Sequence, residues 1–357
     1  MSGHVLVVRL DSMGDMLAAG PAIRAVAAGA DRVTVLCGPT GVAAASLLPG
    51  VDATVVWACP WIVNPPPPVS RSELNDLVDR IARLRVGQAL ILTSFHQSPL
   101  PAALLLRMAG VGTIAAICDD FPGALLDIRH RVDDDIHEVE RHLSLAATLG
   151  YRLPAGDHGA LAIDLPARVG EPDLQGDVIA VHPGASVPAR TWDPTRYREL
   201  VDLLLAAGWR VVVTGGPDER DVTAYVTGGA HPVAQDLGGA TDLAQLAAVL
   251  GRCRAVITGN TGPAHLAAAV GTPVVSLFAP TVPASRWRPW GVAHVLLGDQ
   301  DIACAGCRAT TCPLPGHPCL DDVTPAEVLG ALHRLLADKD RILPPSVTGH
   351  PGLQMLR

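Results

Sequence analysis

Two successive series of strand–loop–helix units constrain this chain most. The first opens with "HVLVVRL", a continuous apolar run of the kind a parallel strand shows when both its faces are buried. "DSMGD" is the turn, and "MLAAGPAIRAVAAGA" the helix, with Pro21 near its start or at a kink. "RVTVLCG", "ATVVWA", "QALILTSF" and "VGTIAAIC" predict four more strands. "SRSELNDLVDRIARLRVG" predicts an amphipathic helix capped by Ser72. "HEVERHLSLAATLG" predicts a helix stopped by Gly150.

A Pro/Gly/acidic stretch, "LPARVGEPDLQGD", then interrupts the pattern and reads as a linker. The second series follows. "VIAVHPG", "WRVVVTGG", "PVAQDLG", "AVITGN" and "PVVSLFAP" alternate with "PTRYRELVDLLLAAG", "LAQLAAVLGRC" and "PAHLAAAVG". Two such series predict two Rossmann-like, doubly wound α/β domains. The expected divisions are 1–165, a linker over 166–177, 178–340, and a flexible tail over 341–357. "PWIVNPPPPVS" is a stiff loop, either a plain surface connection or an acceptor-facing element using Trp61.

Composition narrows the partners. Net charge is −8, which argues against a broad nucleic-acid or anionic-membrane surface. Lys339 is the only lysine, so positive charge rests on arginine. No basic region precedes the first apolar run, and no run approaches the ~20 residues of a membrane helix. The expectation is a cytoplasmic protein with at most peripheral contact at the inner face of the cell membrane. Cys37, Cys59, Cys118 and Cys253 sit in apolar surroundings and are expected to be packed thiols.

Four stretches end strands with glycine beside polar residues: "RLDSMGD", "HPGASVPARTW", "TGGPDER" and "TGNTGPAH". In the last, Gly259 and Gly262 let a backbone come close to a ligand at a helix amino end. Thr261 adds a hydroxyl, and His265 lies one turn in. A phosphate suits such a place; a helix cap with a packed histidine is the alternative reading. The first loop lacks G-x-G-x-x-G, so the dinucleotide fingerprint is absent.

These pieces resemble family 9 glycosyltransferases, best known for ADP-heptose:lipopolysaccharide heptosyltransferases. The resemblance runs from residue 4 to about 335, in the family's order. It is carried by "VVRLDSMGDMLAAGPAIRAV", "HEVERHLSLAATLG", "HPGASVPARTWDPTRY", "TGGPDER", "TGNTGPAHLAAAVGTPVVSLF" and "CAGCRATTCPLPGHPCLDDVTPAEV". It implies the GT-B fold, two such domains facing a central cleft. It further implies an inverting, metal-independent transfer from a nucleotide-diphosphate sugar to a glycan or glycolipid hydroxyl, with no cofactor. ADP-L-glycero-β-D-manno-heptose is the implied donor. Another nucleotide sugar, or a sugar-nucleotide epimerase of the same fold, is the alternative.

The resemblance also assigns roles. Asp15, the Asp of "GD", is the implied general base, with Asp11 its rival in the same loop. Arg190 stands where the family more usually has Lys, and would stabilise the departing diphosphate. Asn260, Thr261, Gly262 and His265 would hold the donor, with Gly14, Gly184, Ala185 and Ser186 from the other matching loops. Glu219 would accept from ribose hydroxyls, or is a solvated helix-start acid. His137, Glu138 and Arg141, with Trp61, are the acceptor-side candidates; bracing the domains, or plain exposed helix charge, are the other readings of the first three.

"CAGCRATTCPLPGHPC" carries Cys304, Cys307, Cys312 and Cys319 as C-x2-C-x4-C-x6-C. Packed or redox-labile thiols are the main reading. A structural metal is a weaker alternative, because the spacing departs from paired zinc ribbons.

Overall fold

A computed structural model describes residues 3–338, apart from 134, 168, 171–173, 175 and 230–232. The expected tail over 341–357 and part of the linker lie outside the described residues.

The first series supplies six strands: β1 (His4–Arg9), β2 (Arg32–Cys37), β3 (Ala53–Val56), β4 (Gln88–Ile91), β5 (Thr113–Ile117) and β6 (Ile128–His130). Between them run α1 (Met13–Ala27), α2 (Val42–Ala45), α3 (Arg71–Leu84) and α4 (Leu100–Met108); α5 (Glu138–Thr148) follows β6. The second series supplies β7 (Val178–His182), β8 (Arg210–Gly215), β9 (Ala234–Gly238), β10 (Ala255–Gly259), β11 (Val274–Leu277) and β12 (His294–Leu297). Its helices are α6 (Pro194–Ala206), α7 (Arg220–Thr227), α8 (Leu243–Arg252), α9 (Gly262–Ala269), α10 (Ala284–Trp287), α11 (Pro318–Asp321) and α12 (Pro325–Asp338).

Each series closes into one parallel sheet. The orders are β3-β2-β1-β4-β5-β6 and β12-β11-β10-β7-β8-β9. Counted within its own half, each sheet runs 3-2-1-4-5-6. Strand order therefore reverses between β1 and β4, and again between β7 and β10. Ligands of open α/β sheets bind at such switch points, beyond the carboxyl ends of the strands. β1 and β10 are buried over nearly their whole length, as their unbroken apolar runs predict.

Helix α1 fixes how the halves meet. It packs against α5 on its own side and against α9 of the second half. One apolar cluster joins Val5, Leu17 and Val139 to Val178, Ala264 and Leu266. Pro21 lies inside α1, and the helix continues past it.

Two local expectations need correction. Helix α3 is capped by Ser70, not Ser72: Ser70 is extended and its side chain accepts from the Glu73 N–H. Ser72 is the second helical residue, where its own backbone geometry forbids capping. Short strands β6 and β12 went unread, because their few half-buried residues give no periodic signal. Among the described residues, no helix is long and apolar enough to cross a membrane.

Candidate active site

The two switch points face each other across a cleft. From the first sheet, the loop after β1 brings Asp11, Ser12, Gly14 and Asp15, and the loop after β4 brings Ser94, Phe95 and His96. From the second, the loop after β7 brings Ser186 and Arg190, and the loop after β10 brings Asn260 and Thr261. All line one cavity of about 190 Å³, together with Gly262, His265, Val282 and Trp287.

The second-half wall presents a helix amino end and an arginine to the cavity. Thr261 is the N-cap of α9 in an extended conformation, and its side chain makes no cap hydrogen bond. Ala264 N donates to the Thr261 carbonyl at 3.1 Å, which leaves the Gly262 N–H and the positive end of the helix at the cavity. Pro263 at the helix start removes one donor that would be unpaired anyway. Arg190 sits at the end of the turn Pro188–Arg190, and its Nε donates to Thr281 Oγ1 at 3.2 Å. Among the described residues it has no carboxylate partner at ion-pair distance. Burial pushes its pKa down, while Asp15 pulls it up from across the cleft.

His265 is buried, and burial pushes it down to about 4, so the imidazole is neutral at pH 7. Its Nδ1 has no hydrogen-bond partner. Asn260 donates to the Ala279 carbonyl at 3.0 Å, and its Oδ1 has no partner. Trp287 Nε1 is also buried without an acceptor. Buried polar atoms are almost always paired, so these three mark a wall shaped for something else.

The opposite wall carries the carboxylates. Asp15 is the third residue of α1, and its side chain reaches back to its cap: Oδ2 accepts from Ser12 Oγ at 2.6 Å and Ser12 N at 3.2 Å. Oδ1 accepts from Arg9 Nη2 at 2.8 Å. Burial would raise the Asp15 pKa, but Arg9 and the Ser12 hydrogen bond outweigh it and hold the carboxyl below its ordinary value. Asp11 shows the reverse. Burial raises it, and the Arg9 charge does not fully offset that.

Several expected residues lie elsewhere. Gly184 and Ala185 are outside the cavity wall. A Cβ on Gly184 would run into the Glu219 carboxylate, so glycine is needed there to admit Glu219. Glu219 itself accepts from the Gly216 N–H at 2.7 Å and lies 3.6 Å from His182 Nε2, back from the cavity.

None of the four acceptor-side candidates lines the cavity. Trp61 packs edge-on against the core residue Trp57, with ring centroids 5.2 Å apart. Glu138 is fully buried behind Asp15, between Arg9, Arg141 and His142. Arg141 donates to the Thr93 carbonyl at 2.6 Å. His137 instead braces the halves. Its Nε2 meets the Arg288 carbonyl at 2.9 Å, and its ring stacks on Trp290 at 4.4 Å. Exposed helix charge fits only Glu140 of "HEVER"; α5 is turned so that Glu138 and Arg141 are buried.

The sequence reading missed Ser94, Phe95, His96, Val282 and Trp287. Two guanidinium groups lie over the Phe95 ring, with Arg286 Cζ at 3.9 Å and Arg308 Cζ at 4.5 Å from its centroid. "TSFHQ" ends a strand at the switch point, and that position was the available signal.

Cys37, Cys59, Cys118 and Cys253 are buried free thiols, as expected. Cys304, Cys307, Cys312 and Cys319 line a small apolar cavity with His317. Among the described residues, however, no three His, Cys, Asp or Glu side chains are placed to hold a metal ion. The loop's visible work is mechanical: Ala189 N donates to the Thr310 carbonyl at 2.9 Å, and His317 Nε2 meets the Ala189 carbonyl at 3.0 Å, both next to Arg190.

Comparison with known proteins adds to this geometry. Residues 91–317 match the family described as glycosyltransferase family 9 (heptosyltransferase). Lipopolysaccharide heptosyltransferase 2 of Salmonella typhimurium is 28% identical over 223 residues, 56% of this chain and 62% of that protein. Lipopolysaccharide heptosyltransferase 1 of Pseudomonas aeruginosa is 35% identical over 181 residues, 49% of this chain and 48% of that protein. The chain thus spans about half the length of the relatives it matches. An E. coli heptosyltransferase solved with ADP-2-deoxy-2-fluoro heptose superposes with a TM-score of 0.70 at 21% identity, covering 93% of this chain and 99% of that one. At that identity the superposition establishes the GT-B fold alone.

Proposed function

The chain belongs to glycosyltransferase family 9, and from that premise we propose that it transfers a heptose from ADP-L-glycero-β-D-manno-heptose to a glycan hydroxyl. The acceptor is a lipopolysaccharide core or a related glycan or glycolipid. One observation carries the reading: Arg190 and the open amino end of α9 face Asp15 within a single cavity.

The reaction is a single displacement with inversion, and it asks three things of the site. The acceptor oxygen must approach the anomeric carbon from the side opposite the diphosphate. The two walls of the cleft supply those two sides. The leaving diphosphate must be stabilised as its C–O bond breaks and negative charge grows. Arg190 and the positive amino end of α9 supply fixed positive charge there, so the proposed chemistry calls for no metal. The hydroxyl proton must go to a base, and Asp15 receives it.

Asp15 is a weak base because Arg9 pairs with it, and this suits a late proton transfer. The acceptor oxygen becomes strongly acidic only as its bond to carbon forms. A carboxylate that stays ionised then takes the proton without needing a raised pKa. His265, neutral at pH 7, contributes a ring nitrogen to the donor wall rather than a charge. Ser94, Phe95 and His96 form the acceptor side in place of the residues named from sequence. Family membership favours transfer over the epimerase alternative.

Calorimetry with ADP, UDP and GDP tests the donor half of this reading. ADP-selective binding that Arg190→Ala weakens is the expected result. Preference for UDP or GDP would overturn the heptose donor, and absence of nucleotide binding would overturn the function.

A further inference from the structure

Both cleft carboxylates are held by one buried cation. Arg9 is the last residue of β1, at the switch point, and its side chain is entirely buried. Packing does not call for a guanidinium there: an apolar side chain would fill the end of an apolar strand without the cost of burying charge. Its contacts instead divide into a rear set and a forward set. At the rear, Nη1 donates to the Leu92 carbonyl at 3.2 Å and lies 3.3 Å from His142 Nε2 and 3.7 Å from Glu138 Oε2. Forward, Nη2 donates to Asp15 Oδ1 at 2.8 Å and to Ser94 Oγ at 2.9 Å. Nε lies 3.1 Å from Asp11 Oδ2.

The rear set fixes the fork. Glu138 is itself held by Arg141 at 3.3 Å and by His142 at 3.2 Å, so it does not compete for Arg9's forward donors. The forward set treats the two aspartates differently. Asp15 has an aligned donor on each oxygen, from Arg9 and from Ser12. Asp11 has the Gln97 amide on one oxygen, and on the other only the charge of Nε, which makes no aligned hydrogen bond.

We propose that Arg9 is the positioning residue of the transfer reaction: it orients Asp15 as the base and prevents Asp11 and Asp15 from sharing one proton. The inference rests on the transferase reading for its consequence, but not for its test. Two neighbouring carboxylates without a cation between them titrate as a coupled pair, and one is forced to hold a proton. Asp15 also feels Glu138 from α5, and it in turn acts on Arg190, His265 and His96. Of these groups, only Arg9 both touches Asp15 and bears an opposite charge. In the directions already given, Asp15 is held down and Asp11 pushed up, as an uneven hold requires.

The test is the carboxyl ¹³C titration of Asp15 in the wild type, Arg9→Gln and Arg9→Lys, with the pH profile of transfer beside it. Removing an ion-pair partner moves a carboxylate by about one to three pH units. Arg9→Gln should raise the Asp15 titration by that amount and carry the acid limb of kcat/KM upward with it. Arg9→Lys keeps the charge and should return most of the shift, while kcat stays at least tenfold low because one ammonium cannot serve both aspartates. Far-UV circular dichroism and a cooperative thermal melt report whether each variant is folded; if Arg9→Gln is not, a wild-type titration profile and rate in Arg9→Lys would overturn the proposal. An Asp15 titration unmoved in folded Arg9→Gln would also overturn it. If the wild type transfers nothing from ADP-heptose, the transferase reading fails, and the ¹³C titration still decides the role of Arg9.

Discussion

Gly14 meets His265 across the cleft: a Cβ on Gly14 would lie 3.0 Å from His265 Cδ2 and 3.4 Å from Gly262 Cα. The amino ends of α1 and α9 therefore touch, one bearing the proposed base and the other the proposed diphosphate site. Gly14→Ala must push them apart. Overpacking of this kind costs about 1–3 kcal/mol, so kcat/KM should fall between roughly fivefold and a hundredfold. Gly262→Ala should cost less, because the obstacle there is the flexible end of Met13. Steady-state kinetics on the two variants checks the order.

Arg190 needs its position as well as its charge. Thr281 Oγ1 accepts from Arg190 Nε, and Thr281 is itself buried. Thr281→Val should lower kcat by an amount set by one hydrogen bond, about 1 kcal/mol or roughly fivefold. Arg190→Lys should keep more activity than Arg190→Ala. Equal losses in the two Arg190 variants would mean that charge at this place does not matter.

Arg286 and Arg308 each place a guanidinium over the Phe95 ring, and Phe95 lines the cavity. Phe95→Ala is expected to raise the KM for the acceptor by about tenfold, the value of one well-packed aromatic contact. The donor KM should change little. A donor-side effect instead would move Phe95 to the other substrate.

Stability should fall as pH drops below neutral. Burial pushes His137 down to about 3 and His265 to about 4, both from an ordinary value of 6.5. Between those limits and 6.5 the unfolded chain binds more protons than the folded one, so acid favours unfolding. His137 gives the reason in atoms. Its Nδ1 accepts from the Val139 N–H at 3.2 Å, and a protonated ring cannot accept. Tm measured from pH 7 to pH 4.5 should decline. Glu138, which burial alone would raise, is brought down to about 2 by His142, Arg9 and Arg141, and adds a further loss between about 4.5 and 2. His137→Asn keeps a capping acceptor and should flatten the upper part of the decline.

The fold was legible because its strands are long, apolar and regularly spaced by helices. β1 and β10 announced themselves, and with them the loops that carry Asp15 and Thr261. The helix amino end behind the proposed diphosphate site was legible for the same reason, since a helix start after a buried strand is a local feature. The acceptor side was not local. Whether Glu138 faces water or Arg9 depends on how α5 is turned against α1, and no property of "HEVER" fixes that turn. Phe95 and Trp287 line one cavity only because two sheets face each other, with 191 positions of chain between them. Arg9 reads in sequence as the end of a strand; three carboxylates converging on it make it part of a site.

The most direct test of the central claim is turnover of ADP-heptose with a lipopolysaccharide-core acceptor, by wild type and Asp15→Asn. ADP release and the mass of the acceptor are followed together. The account predicts one heptose added per ADP released. It predicts a loss of about 10²–10⁴ in Asp15→Asn, with ADP affinity retained. Equal transfer by both proteins would contradict the base, and ADP release without a heavier acceptor would contradict the transferase.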